Sequence, residues 1–233
     1  MEPSARKVVT RSPSHTVRLL HLPHVQAQPV EAESSLERDF VQIAGLYPFI
    51  QSIKHQPFRL ELDEKHSYTP DFLLGFVDGS RLVVEVKPEE FVAQHQQKLQ
   101  AAEALLAQAG FGFLIATDTM LKADAIAARA LRIRRYSKGK FSKEITAQLV
   151  SYVRAHPAGV SLGETCRQLG LTTEVIFHAL AYHRICTRNP LDVRPEAVLI
   201  DMQIFRQEVA DADQTYAVHF AGWLDSSRRG DND

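Results

Sequence analysis

Two carboxylates and a lysine fall close together in the run Tyr68-Thr-Pro-Asp71-Phe-Leu-Leu-Gly-Phe-Val-Asp78-Gly79-Ser-Arg-Leu-Val-Val-Glu85-Val-Lys87. Asp71 opens one strand-like stretch. Glu85 and Lys87 close the next, and Asp78-Gly79 between them is a turn signal. A phosphodiester carries a negative charge that repels hydroxide. Cleaving it calls for a cation that neutralises the phosphate and lowers the pKa of a bound water. Mg²⁺ takes a few carboxylates plus waters in a near-octahedral shell, and Mn²⁺ is expected to substitute. Asp71 and Glu85 offer those oxygens, and the backbone carbonyl of Val86 is a further candidate ligand. Lys87 lies two residues past Glu85, so on a strand both point to one face. From there its ammonium can orient the attacking water or stabilise charge on the phosphate. Val84 and Val86 point the other way.

A shared cation constrains the hairpin register. A two-residue Asp78-Gly79 turn would set Asp71 against Val86 and send the carboxylates to opposite faces. A three-residue loop, Val77-Asp78-Gly79, sets Phe76 against Ser80 and Asp71 against Glu85. Gly79 then takes the left-handed position of a type I turn plus bulge. The chemistry therefore predicts the odd-length loop.

The elements that must hold this hairpin are legible on both sides. Ser34-Ser-Leu-Glu37 fits a capping box, followed by one helical face of Leu36, Phe40, Ile43, Ala44 and Tyr47, with Pro48 as the stop. Residues after Pro57, up to Leu62, alternate like a strand. Pro88-Glu89-Glu90 opens a long helix to about Gln108, with Gly110 beyond its end. Phe111–Thr117 reads as a buried strand, parallel to its neighbour after the helical crossover. The order α-β-β-β-α-β predicts an α/β fold, a mixed sheet flanked by helices.

Around this core, residues 1–33 read as a basic N-terminal arm, with Arg6, Lys7, Arg11 and Arg18 against one early acid, Glu2. Residues 34–141 read as the catalytic domain. Seven basic residues and no acid occupy 129–143. Of these, Arg132, Arg134, Arg135, Lys138 and Lys140 are candidate DNA-phosphate contacts, and the run is expected to mark a domain boundary. Residues 142–200 read as three helices plus a wing strand at Val198–Ile200, a small α-helical winged-helix-like domain suited to DNA or to protein. Residues 201–233 hold seven acids against three arginines and read as an acidic C-terminal tail, whose Tyr216–Leu224 portion has the apolar residues to dock.

Other chemistries lack their residues. The histidines show no metal-ligand spacing, nucleophile motifs are missing, and Gly110-Phe-Gly112 follows a helix rather than a strand. No apolar run approaches the ~20 residues of a membrane span, and no secretory signal opens the chain. Net charge is −1. Cys166 and Cys186 need not pair, which fits a reducing cytoplasm. Gln56 is a candidate phosphate or supporting contact. Glu37 is a candidate third carboxylate, although local pattern alone favours its capping role, worth ~1 kcal/mol.

Asp71 with Glu85-Val86-Lys87 matches the PD-(D/E)xK nuclease pattern, a short one. The longer string is more specific. Glu33-Ser-Ser-Leu-Glu37-Arg-Asp-Phe40, Gln56-Pro57, Tyr68-Thr-Pro-Asp71-Phe and Val84-Glu85-Val-Lys87-Pro together resemble the TnsA family, over about residues 30–140 and more loosely beyond. The resemblance implies a restriction-endonuclease-like, Mg²⁺-using domain in a bacterial, DNA-associated cytoplasmic protein. It implies cleavage of the non-transferred strand near the 5′ ends of a cut-and-paste element. A TnsB-like DDE transposase and a TnsC-like AAA+ ATPase are the implied partners. It makes Glu37, Asp71, Glu85 and Lys87 the catalytic set, reversing the local reading of Glu37. Some family members carry Gln where this chain has Glu85. A free-standing restriction or repair nuclease and a non-catalytic winged-helix adaptor are the alternatives.

Overall fold

The computed structural model describes residues 17–226. Arg6, Lys7 and Arg11 of the expected basic arm therefore lie outside the described residues. Arg18 does not, and the stretch after it is not an extended arm. Strands β1 (Arg18–Leu20) and β2 (Val30–Ala32) pair antiparallel, and Leu20, Leu22, Val30 and Ala32 enter the core.

Helix α1 (Ser35–Ala44) starts where Ser34 Oγ accepts the Glu37 N–H at 3.0 Å, the first half of a capping box. Its apolar stripe, Phe40, Val41, Ile43 and Ala44, is fully buried. β3 (Ile50–His55) follows. The strand thus precedes Pro57 rather than following it. Gln56 turns left-handed at φ 40°, and Pro57 has no N–H with which to continue the ladder. Of the alternating stretch beyond, only β4 (Leu60–Glu61) pairs, with β5 (Ser67–Tyr68).

β6 (Phe72–Phe76) and β7 (Arg81–Lys87) form the expected hairpin, with Phe72 opposite Val84 and Gly75 opposite Arg81. The Phe76 N–H bonds Ser80 O, the Gly79 N–H bonds Phe76 O, and Gly79 sits at φ 83°. The loop is the three-residue form with glycine in the left-handed position. The segment after Pro88 is broken. α2 (Glu89–Val92) gives way to a 3₁₀ turn before α3 (Gln96–Gln108). This crossover leads to β8 (Gly112–Thr117), parallel to β7 with Glu85 beside Ile115 and Lys87 beside Thr117. The sheet order is β3-β6-β7-β8, antiparallel except at its last pair. This mixed sheet with helices against it is a restriction-endonuclease-like α/β fold.

α4 (Asp118–Lys122) and α5 (Ile126–Arg135) follow. The basic run is not an open connector. It forms α5 and a 3₁₀ turn over Tyr136–Lys138, with Ile126, Ala130 and Ile133 fully buried against α1 and against α8 (Thr173–Ala181). Before α8 come α6 (Lys143–Arg154), β9 (Val160–Ser161) and α7 (Leu162–Leu169), which ends at Gly170 with φ 63°. β10 (Ile185–Thr187) and β11 (Val198–Asp201) join β9 in a small antiparallel sheet, order β10-β11-β9. One apolar core runs from β1 through these elements without a break at residue 141.

Residues 202–226 are likewise not a tail. α9 (Met202–Asp211) and α10 (Tyr216–Ser226) bring Phe205, Val209, Phe220, Trp223 and Leu224 into that core. Glu208 and Asp211 of α9 are exposed, while Phe205 and Val209 of the same helix are buried. Phe220 packs at 5.2 Å and Trp223 at 5.3 Å from the Tyr47 ring, and Phe220 at 5.9 Å from Phe76 of the hairpin. Asp78 and Ser80 of the hairpin loop accept the Tyr216 and Ala217 N–H groups, tying the start of α10 to the turn. Trp223→Ala is expected to cost about 3–5 kcal/mol. A thermal melt should fall by roughly 6–20 °C. A change within a degree would mean that α10 is not part of the core.

Candidate active site

The register decides which side chains meet. Extending the β6/β7 pairing by one step places Asp71 opposite Glu85, on one face of the sheet. Beyond it, Pro70 falls opposite Val86. Proline has no N–H, so Val86 finds no backbone donor across the hairpin for its carbonyl. Its own N–H is taken by Asp71 Oδ2 at 2.8 Å. The ladder ends in a carboxylate on one side and a carbonyl without a ladder partner on the other, both on the same edge.

Glu85 is buried, and both its oxygens are engaged. Lys87 Nζ lies 3.2 Å from Oε1, and the Tyr68 hydroxyl donates to Oε2 at 2.7 Å. Tyr68 is buried as well, and burial beside the Glu85 charge pushes its phenol far up, so it remains a donor. Asp71 is pushed up to about 8, first by burial and then by the charge of Glu85; Glu37 adds to the shift, while the Val86 N–H and Lys87 oppose it. Burial also raises Glu37, with the charges of Glu33 and Glu85 acting in the same direction. Glu37 Oε2 accepts the Glu33 N–H at 2.8 Å, so its capping and its place near the other acids are compatible.

A supporting cluster lies behind Glu37. His55, on the last residue of β3, stands with Nε2 3.7 Å from Glu37 Oε2 and Nδ1 4.0 Å from Glu31 Oε2. Gln56 donates from Nε2 to Glu33 Oε1 at 3.2 Å, and its backbone N–H bonds Asp71 O at 2.8 Å. Gln56 thus links Glu33 to the start of the hairpin. Tyr68, His55, Glu31 and Glu33 carried no chemical signal in the sequence. Tyr68 lies in the same run as Asp71, but its contact with Glu85 spans 17 residues and depends on the fold.

The structure therefore brings Glu37, Asp71, Glu85, Lys87 and Val86 to one end of the sheet. The basic candidates belong to α5 and the segment after it. Arg134 donates to His21 O at 2.9 Å and is half-buried, and Arg132 lies 5.1 Å over the Phe177 ring. Arg135, Lys138 and Lys140 are exposed.

Among the described residues, no three His, Cys, Asp or Glu side chains already converge on one cation position. The chemistry of the donor set nonetheless suits a hard divalent cation. Burial, with the charge of Glu85 acting in the same direction, raises both Asp71 and Glu37, Lys87 bonds Glu85, and a backbone carbonyl opens on the same edge. Each engaged carboxylate oxygen keeps a second lone pair.

Residues 47–118 match the family model described as TnsA-like endonuclease N terminal. This segment is a TnsA-like endonuclease domain. It spans β3 to the start of α4 and contains Gln56, Tyr68, Asp71, Glu85 and Lys87, while Glu37 and the basic run lie outside it. The match covers less than half of the chain. No curated protein matches the chain. None of the helices among the described residues is long and apolar enough to cross a membrane.

Proposed function

We propose that this protein is the Mg²⁺-dependent DNA endonuclease of a cut-and-paste transposition complex. In this reading it cuts the non-transferred strand near the 5′ ends of the element. A TnsB-like DDE transposase handles the other strand, and a TnsC-like AAA+ ATPase regulates both. The observation that carries the reading is the pairing of Asp71 with Glu85, beside Lys87, inside the TnsA-like segment.

Asp71, Glu85 and Glu37, with the Val86 carbonyl, are the groups that would hold the metal. Bound there, it would neutralise the phosphate and acidify a water. Lys87 brings its side-chain nitrogen to the same face, where it can hold the attacking oxygen or the departing phosphate charge. Tyr68 and the Val86 N–H fix the two carboxylates before substrate arrives. Such pre-set geometry spares the reorganisation that water would otherwise demand.

Residues 142–200 are read as the winged-helix-like domain, with α7 and α8 as its helix pair and β10/β11 as its wing. Tyr182 donates its hydroxyl to Ser137 O at 3.0 Å, and His178 Nδ1 lies 3.0 Å from Tyr136 O. These bonds pin the end of α8 to the turn after α5. That packing favours a protein-facing or framework role over insertion into a DNA groove. DNA phosphates fall instead to Arg135, Lys138 and Lys140. Replacing both Lys138 and Lys140 by Ala is expected to lower the salt slope of DNA binding by about 2. An unchanged slope would remove these lysines from the interface.

The test of the whole reading compares two reactions. Plain duplex DNA with the protein alone should remain intact. Element-end DNA with the protein, its transposase, its ATPase and Mg²⁺ should be nicked at the 5′ ends. Efficient cutting of plain DNA without partners would make it a free-standing nuclease. No cutting in either reaction would leave the adaptor.

A further inference from the structure

We infer that Tyr68 is a positioning residue for the metal site, holding Glu85 in the orientation that binds a divalent cation. The inference rests on reading Glu85 as a cation ligand. Glu85 has two partners, and they differ in kind. Lys87 draws one oxygen by charge, at 3.2 Å. Tyr68 draws the other by a directed hydrogen bond at 2.7 Å. With the phenol in place, the carboxylate is stretched between them and has one orientation. Without it, nothing opposes the pull of Lys87, and Glu85 can turn its whole charge onto the ammonium and away from Asp71.

The tyrosine itself is held from all sides. It leaves β5 at the second residue, where the pairing with Leu60 fixes the backbone. Its side chain packs with Leu99 and Ala102 of α3 and with Ile115 of β8, the residue beside Glu85 in the sheet. Lys98 lies 5.3 Å over the ring. A small apolar cluster, separate from the main core, is thus organised around this ring. Its polar product is one hydroxyl aimed at one oxygen of Glu85. Groups that orient a metal ligand in this way typically set metal affinity by a factor of 10–100.

Tyr68→Phe removes the hydroxyl and keeps the ring. Mn²⁺ is titrated into the full-length protein, and free Mn²⁺ is read by its electron paramagnetic resonance signal. The variant is expected to bind Mn²⁺ roughly 10–100-fold more weakly than the wild type. Its affinity for DNA should be essentially unchanged. Cleavage should fall at limiting Mg²⁺ and recover at saturating Mg²⁺. In a Glu85→Ala background, Tyr68→Phe should add no further loss of Mn²⁺ affinity. Superimposable Mn²⁺ titrations for wild type and Tyr68→Phe would overturn the inference. So would an equal loss in the Glu85→Ala background. Tight Mn²⁺ binding by Glu85→Ala itself would instead overturn the reading of Glu85 as a ligand, a separate result.

Discussion

Lys87→Ala should leave DNA affinity close to that of the wild type and lower the rate of strand cleavage by about 10²–10⁴-fold at saturating DNA and Mg²⁺. The size follows from position. The Lys87 side chain is only 20% exposed, and its ammonium sits 3.2 Å from Glu85 on the face shared with Asp71. The basic residues on α5 and after it make no hydrogen bond or ion pair with these acids that could take over. Such a charge acts where negative charge develops during phosphoryl transfer, so its loss falls on the rate rather than on binding. Lys87→Arg should restore little, since a planar guanidinium does not replace a compact ammonium in a confined place. A Lys87→Ala protein that cuts at the wild-type rate would exclude this mechanism.

Asp71→Asn should abolish cleavage and yet stabilise the metal-free protein. Folding buries Asp71 beside Glu85 and raises its pKa from 3.8 to about 8. Between those values the folded protein holds a proton that the unfolded chain has released, so stability falls as pH rises across that window. Asparagine carries no charge and still offers an oxygen to the Val86 N–H, which Asp71 accepts at 2.8 Å. At pH 8 without metal, the gain is expected to be on the order of 2 kcal/mol. A chain of this size should then melt roughly 4–8 °C higher. Near pH 4 both proteins carry a neutral group, and the difference should vanish. Mg²⁺ should then raise the melting temperature of the wild type but not that of the variant. A variant less stable than the wild type at pH 8, or equally stabilised by Mg²⁺, would contradict the account of crowded acids awaiting a cation. The same trade-off explains why a less crowded end to the hairpin would fold better and do less.

The hairpin was legible because its chemistry and its register constrain each other. Carboxylates that must share a face permit only an odd loop, and Gly79 at φ 83° supplies it. The order of sheet and helices was legible from periodicity and from caps such as Ser34, whose Oγ accepts the Glu37 N–H. Alternation misplaced a strand after Pro57, because a pattern of apolar residues does not reveal that the ladder ends at Gln56, turned left-handed at φ 40°. The docking of Tyr216–Leu224 was legible in its apolar residues, whereas the acids of 201–233 drew the reading of a tail and hid the buried pair Phe205 and Val209 on α9. Arg134 was read as a phosphate contact, and the sequence did not show that one of its N–H groups bonds the His21 carbonyl. Tyr68 and His55 were illegible for a simpler reason. Each acts through a partner far away in sequence, Glu85 or Glu37, and only the folded chain places them together.

The central claim is metal-dependent cleavage of one DNA strand by the Asp71, Glu85 and Lys87 face. Its most direct test is to map the 5′ ends of element-end DNA at single-nucleotide resolution after incubation with the protein, its transposase and its ATPase. With Mg²⁺, the account predicts a cut in the non-transferred strand near each end of the element, lost with chelator and lost with Asp71→Asn. A cut that survives in both, or intact 5′ ends with the wild-type protein and Mg²⁺, would contradict it.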